Sequence, residues 1–327
     1  MSDPLAAGVI GVGSMGRNHA RVYSELPDVD LVGVADLDTQ AARGVADDYG
    51  SVARDAGDLL EDADLVSVAV PTAAHPAMLE RAIDAGTHAL VEKPYVDDLQ
   101  RGRELAERAR DEGLVLQVGH IERFNPAVRA LADVLPNIDV LAVDAQRLGP
   151  PRQREVADSA VFDLMIHDID IVCSLLDDAP VSVDAAGVDG NRYATATCRF
   201  EDGVIANLTA SRVTQRKVRK LGITARECRV CVDYMNQSVE IHRHTAPAYV
   251  ENDGTVRERV ESVVERPTVE NGEPLKAELE SFAAAVRNGS EPVVTAEDGL
   301  RAVEVARRID DIAAGRRREE REKEVAS

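Results

Sequence analysis

The chain has 327 residues, with 38 Lys+Arg against 59 Asp+Glu for a formal net charge of −21, and 44% of its residues are hydrophobic. At roughly 150 residues per domain this length predicts about two domains, and the apolar fraction excludes global disorder. The net charge would repel a polyphosphate, so nucleic acid is not expected as a partner.

No apolar run reaches the roughly 18 residues needed to cross a bilayer, so no membrane association is expected. The opening MSDPLAAGVIGVG lacks the basic region of a secretory signal, which predicts a cytoplasmic location. Cys173, Cys198, Cys228 and Cys231 are too few for a disulfide scaffold and are read as reduced. Lysine is confined to Lys93, Lys217, Lys220, Lys276 and Lys323. An acidic, lysine-poor chain reads as halophilic, because a screening length of about 3 Å at 1 M salt relieves self-repulsion.

From Leu5 to about Gly119, short β-branched runs alternate with helical stretches, the pattern of a parallel sheet with crossover helices. LAAGVI, VDLVGVAD, DLVSVAV, THALVEK and GLVLQVG are the expected strands. Directly after the first lie Gly11, Gly13 and Gly16, with Ser14 and Met15 completing a G-x-G-x-x-G turn at the start of a helix. The first glycine permits the tight turn, the second lets a pyrophosphate approach the backbone, and the third allows close packing of helix on strand. Asp36 ends the second strand, twenty residues beyond Gly16, where a carboxylate accepts hydrogen bonds from a ribose diol and repels a 2′-phosphate. NAD is therefore favoured over NADP, with Asp38 and Arg43 near enough to soften the preference. A plain glycine turn with an N-capping aspartate is the alternative. Thr72 and His75 follow the third strand at the carboxyl edge of the sheet, as cofactor contacts or as turn and cap residues. Glu92 and Lys93 follow the fourth strand; a lysine in a chain that otherwise uses arginine points to a need for a compact ammonium.

Beyond His120 the pattern changes. NPAVRALADVL reads as a helix, VLAVDAQRLG as a strand, and ADSAVFDLMIHDIDIVCSLLDD as a long helix on which Asp163 and His167 share a face. A histidine with an ordinary pKa near 6.5 suits removal of a proton from an alcohol. Strands in hairpin succession from Val181 to about Val264 predict a mainly antiparallel sheet. PLKAELESFAAAVRNG and AEDGLRAVEVARRIDDIAAG close the fold as helices, and RRREEREKEVAS is a solvated or frayed tail. The expected fold is α/β, with a Rossmann-type doubly wound parallel sheet over residues 1–121. An α+β domain with a large, open, mainly antiparallel sheet is expected over residues 122–327.

The glycine turn, the Glu92-Lys93-Pro94 triplet and the Asp163-x-x-x-His167 pair together resemble the glucose-fructose oxidoreductase / inositol dehydrogenase / MocA (Gfo/Idh/MocA) family of NAD-dependent sugar dehydrogenases, over essentially the whole chain. The resemblance implies a substrate held between the domains and oligomer contacts, homodimeric or homotetrameric, through the open sheet. It further implies that Lys93 orients or polarises the reacting hydroxyl, that His167 is the general base, that Asp163 assists both, and that the Lys93–Pro94 bond is cis.

GHIERFNPAV, RLGPPR and VFDLMIHDIDI resemble a narrower group that oxidises C3 of UDP-N-acetylglucosamine to the 3-keto sugar. Arg123 and Asn125 are expected to join Lys93, Asp163 and His167 in contacting such a substrate, although Asn125 before Pro126 also suits a helix cap. Arg212, Arg216, Lys217, Arg219 and Lys220 either meet a diphosphate or form salt bridges and a charged sheet edge. Inositol or free-sugar dehydrogenase, and a non-catalytic NAD-binding regulator, are the other readings. No metal is expected: Cys228 and Cys231 would point to opposite faces of a strand, and His242 and His244 have no evident co-ligands.

Overall fold

Hydrophobic runs flanked by helices build the first sheet because each strand is buried on both faces. The computed structural model describes residues 3–151, 159–244, 248–252, 255–259 and 262–316. Strands β1 (Leu5–Ile10), β2 (Val29–Ala35), β3 (Leu65–Val68), β4 (His88–Glu92) and β5 (Leu116–Gly119) alternate with helices α1 (Ser14–Glu25), α2 (Thr39–Tyr49), α3 (Ala56–Asp62), α4 (His75–Asp84) and α5 (Leu99–Asp111). The sheet is wholly parallel in the order β2-β1-β3-β4-β5. A lone parallel bridge, Val34 to Ala53, is all that stands beyond β2. With that bridge counted as a vestigial strand, the order is the doubly wound one, and the direction of winding reverses between β1 and β3. The glycine turn after β1 therefore sits at the switch point, where open α/β sheets receive ligands.

The second sheet has eight strands: β6 (Val140–Leu148), β7 (Ser182–Val188), β8 (Tyr193–Arg199), β9 (Ile205–Ser211), β10 (Val218–Ala225), β11 (Cys228–Asp233), β12 (Ser238–His244) and, after the two-stranded hairpin of β13 (Ala248–Asn252) and β14 (Thr255–Arg259), β15 (Ser262–Glu265). Its order is β15-β12-β11-β10-β6-β9-β8-β7, antiparallel except for the parallel neighbours β6 and β9. One face is buried and the other open, as β8 shows by alternating buried Ala194, Ala196 and Cys198 with exposed Tyr193, Thr195, Thr197 and Arg199.

Two expectations need correction. The segment read as one helix, NPAVRALADVL, is a single turn, α6 (Pro126–Arg129), followed by 3₁₀ turns at Ala130–Asp133 and Leu135–Asn137. The long helix around His167 is interrupted: Val161–Met165 forms a π-helical turn before α7 (Ile166–Leu176), and residues 157 and 158 of the expected span lie outside the described residues. Most of the charged tail, from residue 317, also lies outside them.

The chain divides into two compact units, but not at the linear boundary of 121/122. One comprises Met1–Phe124 with Gly272–Glu304, the other Asn125–Asn271 with Val305–Ser327. Helix α8 (Pro274–Asn288) returns to the first unit because its Leu275, Leu279, Phe282 and Ala283 pack into the core formed by Ala7, Val9, Val34, Leu65 and Leu90. The second division falls within α9 (Ala296–Ala313). Sequence periodicity finds such helices; it does not say whose core they fill.

Candidate active site

In the first unit the glycine turn is shaped by contacts that exclude any side chain. Gly11 has φ of +91°, and a Cβ there would lie 2.6 Å from the Ala69 carbonyl oxygen; a Cβ on Gly16 would lie 1.7 Å from the Gly11 oxygen. Gly13, by contrast, faces open space, and α1 starts at Ser14 without a side-chain cap. An uncapped helix start beside bare backbone is a site for an anion, which fits the pyrophosphate of NAD. Ser14 is exposed there, while Met15 leans on the core beneath.

Asp36 stands at the end of β2, where Oδ2 accepts the Val12 N–H at 2.7 Å and Oδ1 the Asp38 N–H at 2.9 Å. Each oxygen keeps a lone pair for a ribose hydroxyl. Leu37 beside it is fully exposed, an apolar side chain that charge-based reasoning passes over. Asp38 is engaged as the cap of α2, accepting from Gln40 and Ala41 N–H groups at 3.0 Å each. Thr72 opens a 3₁₀ turn and is half-buried.

Lys93 directly follows β4, its peptide bond to Pro94 is cis, and its side chain is half-buried. Beneath it the buried Glu92 carboxylate contacts His19 Nε2 at 3.0 Å and accepts the Lys93 N–H at 3.3 Å. Burial pushes the Glu92 pKa up, but the His19 hydrogen bond and the charges of His19 and Lys93 prevail and hold it below the usual range. His19 Nδ1 meets Ser67 Oγ at 2.9 Å, and the same hydroxyl contacts Tyr23 Oη at 2.9 Å. Sequence reasoning missed this buried chain; the signal was polar residues at positions where helix and strand periodicity place the core.

His75 was expected at the cofactor, and the structure corrects this. It is 1% exposed, with Nε2 against the Val70 carbonyl at 2.9 Å and Nδ1 against the Pro94 and Tyr95 carbonyls at 3.1 Å. As the first residue of α4, its ring ties the turn after β3 to the turn that carries Lys93. Tyr95 is a core residue whose hydroxyl donates to the Gly102 carbonyl at 2.9 Å.

In the second unit Asp163 lies in the π-turn and His167 in the first turn of α7, both half-buried. Arg212, just past β9, forms an ion pair with Asp163 at 3.1 Å and donates to the Ser159 carbonyl at 3.0 Å. The expected basic surface is thereby broken up: Arg212 is buried, and Arg219 donates to the Leu148 and Val218 carbonyls. Arg216, Lys217 and Lys220 remain exposed.

Asn125 and Arg123 also depart from expectation. Asn125 is 3% exposed, its Oδ1 capping α6 through the Ala127 N–H and its Nδ2 donating to the Tyr234 carbonyl, so the cap reading holds over the substrate one. Arg123 belongs to the first unit and pairs with Asp298 at 3.5 Å, with its side chain 12% exposed. Both side chains are drawn inward because their polar ends find partners there.

Among the described residues no group of three or more His, Cys, Asp or Glu is gathered to hold a metal, and no helix is long and apolar enough to cross a membrane.

A doubly wound nucleotide unit joined to an open-sheet unit bearing an Asp-x-x-x-His turn defines a class of two-unit oxidoreductases. The chain belongs to the Gfo/Idh/MocA family: residues 5–120 match its "Oxidoreductase family, NAD-binding Rossmann fold" model and residues 142–232 its "GFO/IDH/MocA C-terminal domain" model. UDP-N-acetylglucosamine 3-dehydrogenase of Acidithiobacillus ferrooxidans is 34% identical over 290 residues, 86% of this chain and 88% of the relative. Its solved structure superposes with a TM-score of 0.86 at 31% identity, covering 95% and 98% of the two chains. Inositol 2-dehydrogenase of Rhizobium meliloti is 30% identical over 316 residues, 91% of this chain and 94% of the relative. The chain is accordingly an NAD-dependent dehydrogenase, and the regulator reading is set aside.

Proposed function

We propose that this dehydrogenase oxidises a secondary alcohol of a nucleotide sugar, C3 of UDP-N-acetylglucosamine, to the 3-keto sugar. The main support is the 34% identity to a dehydrogenase of that name across most of both chains. The chain retains Lys93, Asp163 and His167, the residue types such an oxidation requires.

Bound NAD supplies the hydride acceptor. The Lys93 ammonium orients the hydroxyl and stabilises negative charge growing on its oxygen. His167 takes the hydroxyl proton as the carbinol C–H leaves as hydride, and Asp163 holds the hydroxyl or the imidazole in place. The glycine turn and the α1 N-terminus hold the pyrophosphate, with Ser14 at that helix start; Asp36 holds the adenosine ribose and Leu37 offers its apolar side chain to the adenine. Thr72 contributes from the neighbouring turn.

The test is a panel of UDP-N-acetylglucosamine, myo-inositol and glucose with NAD and NADP, followed at 340 nm in molar KCl, with mass spectrometry of the product. Rapid NADH formation with UDP-N-acetylglucosamine alone, and a product two mass units lighter, is the expected result. Preference for myo-inositol would instead favour the second reading, which rests on the inositol 2-dehydrogenase relative at 30% identity.

For the assembly we propose a homodimer or homotetramer through the open face of the eight-stranded sheet. Thr197, Asn207 and Asp144 are already linked in a hydrogen-bonded row on that face, at 3.0 and 3.2 Å. Light scattering measures the mass directly. The proposed compartment is the cytoplasm, consistent with four free cysteines.

A further inference from the structure

We propose that Arg147 and Arg212 form a two-point clamp that fixes the rotation of the helix presenting His167, making both positioning residues for the acid–base pair. The inference rests on the roles given above to Asp163 and His167.

Strands β6 and β9 are parallel neighbours in register, with Arg147 opposite Ala210 and Leu148 opposite Ser211. Arg147 near the end of one and Arg212 just past the end of the other therefore emerge from the same edge of the sheet. Each meets a different carboxylate of the interrupted helix. Arg147 grips Asp168 with two hydrogen bonds, Nε to Oδ2 at 3.0 Å and Nη2 to Oδ1 at 2.8 Å, both side chains being 3% exposed or less. Arg212 pairs with Asp163 and also holds the Ser159 carbonyl that precedes the π-turn.

Asp163 precedes His167 by four residues and Asp168 follows it by one. At about 100° per residue, the imidazole lies between the two carboxylates around the helix axis. A helix that opens with a π-turn has a looser backbone register there than a continuous α-helix. Two ion pairs placed on either side of the histidine supply the constraint that the backbone does not. The Arg147 guanidinium is itself fixed over the Tyr234 ring, 5.1 Å from its centroid. The planar fork of arginine suits this task because it binds through two N–H groups at once, to two carboxylate oxygens in Arg147 and to a carboxylate and a carbonyl in Arg212.

Arg147 is deeply buried, so Arg212 carries the test. Arg212→Met is expected to lower kcat by 10- to 100-fold with the panel compound that reduces NAD, while KM for NAD stays within twofold; Arg212→Lys should recover part of the loss. The double variant R212M/D163N should be no slower than Asp163→Asn alone, since both remove one interaction. A readout free of turnover is the ¹⁵N spectrum of histidine-labelled protein, assigned with His167→Gln, in which R212M should move the His167 resonances and leave those of His19 and His75 in place. Wild-type kcat in a folded R212M, multiplying losses in the double variant, or an unmoved His167 resonance would each overturn the clamp. Full turnover in Asp163→Asn would instead overturn the proposed site itself, and the clamp with it.

Discussion

The two units solve the placement of functional groups by different means. In the first, the cofactor site is made of backbone: glycines that admit no Cβ, an uncapped helix start, and a carboxylate tied to the turn it faces. In the second, the candidate groups are side chains on an interrupted helix, held by ion pairs from neighbouring strands. A site built of backbone tolerates almost no substitution at its glycines. A site built on ion pairs fails in graded steps as each partner is removed.

The sharpest contrast comes from Lys93→Ala, expected to lower turnover about 10³-fold while leaving the NAD dissociation constant, read by fluorescence titration, within about threefold. If NAD binding collapses with it, Lys93 belongs to the cofactor site and the division of labour fails. Gly16→Val should abolish NAD binding and destabilise the first unit, because even a Cβ would stand 1.7 Å from the Gly11 oxygen; overpacking of this kind costs roughly 1–3 kcal/mol or more, measurable by thermal unfolding.

Asp36→Asn should weaken NAD by about tenfold, in line with a charge-assisted hydrogen bond worth about 1.5–3 kcal/mol, and narrow the preference over NADP. The Glu92 carboxylate gives a pH test. Its pKa is lower folded than in an ordinary glutamate, so the stability it contributes is complete above about 4.3 and is lost as pH falls from there through its folded value. Glu92→Gln should therefore flatten the acid limb of a stability–pH curve. The smallest expected effect concerns salt: with a net charge of −21, the melting temperature should rise by several degrees from low salt to molar KCl. A flat response would remove the halophilic reading.

Much of the first unit was legible from sequence because its constraints are local. The spacing of Gly11, Gly13 and Gly16 after a strand, and Asp36 at the end of the next, state a backbone geometry within one stretch of chain. The same holds for the alternation that marks β8 as half-buried. The inward-facing Arg147 in β6 was a visible signal too, since a charge in a row with Val143 and Ala145 must find a partner.

What sequence determined, then, was the order of elements, the family and the residue types that do the chemistry. Tertiary structure decided which core claims α8, that His75 and Asn125 face inward to carbonyls and caps, that Glu92 rests on His19, and that Arg212 pairs with Asp163. Local spacing encodes backbone conformation and face. Partners dozens of residues apart meet only once the strands are in register, and burial then forces each polar group to bond with whatever the fold has brought beside it.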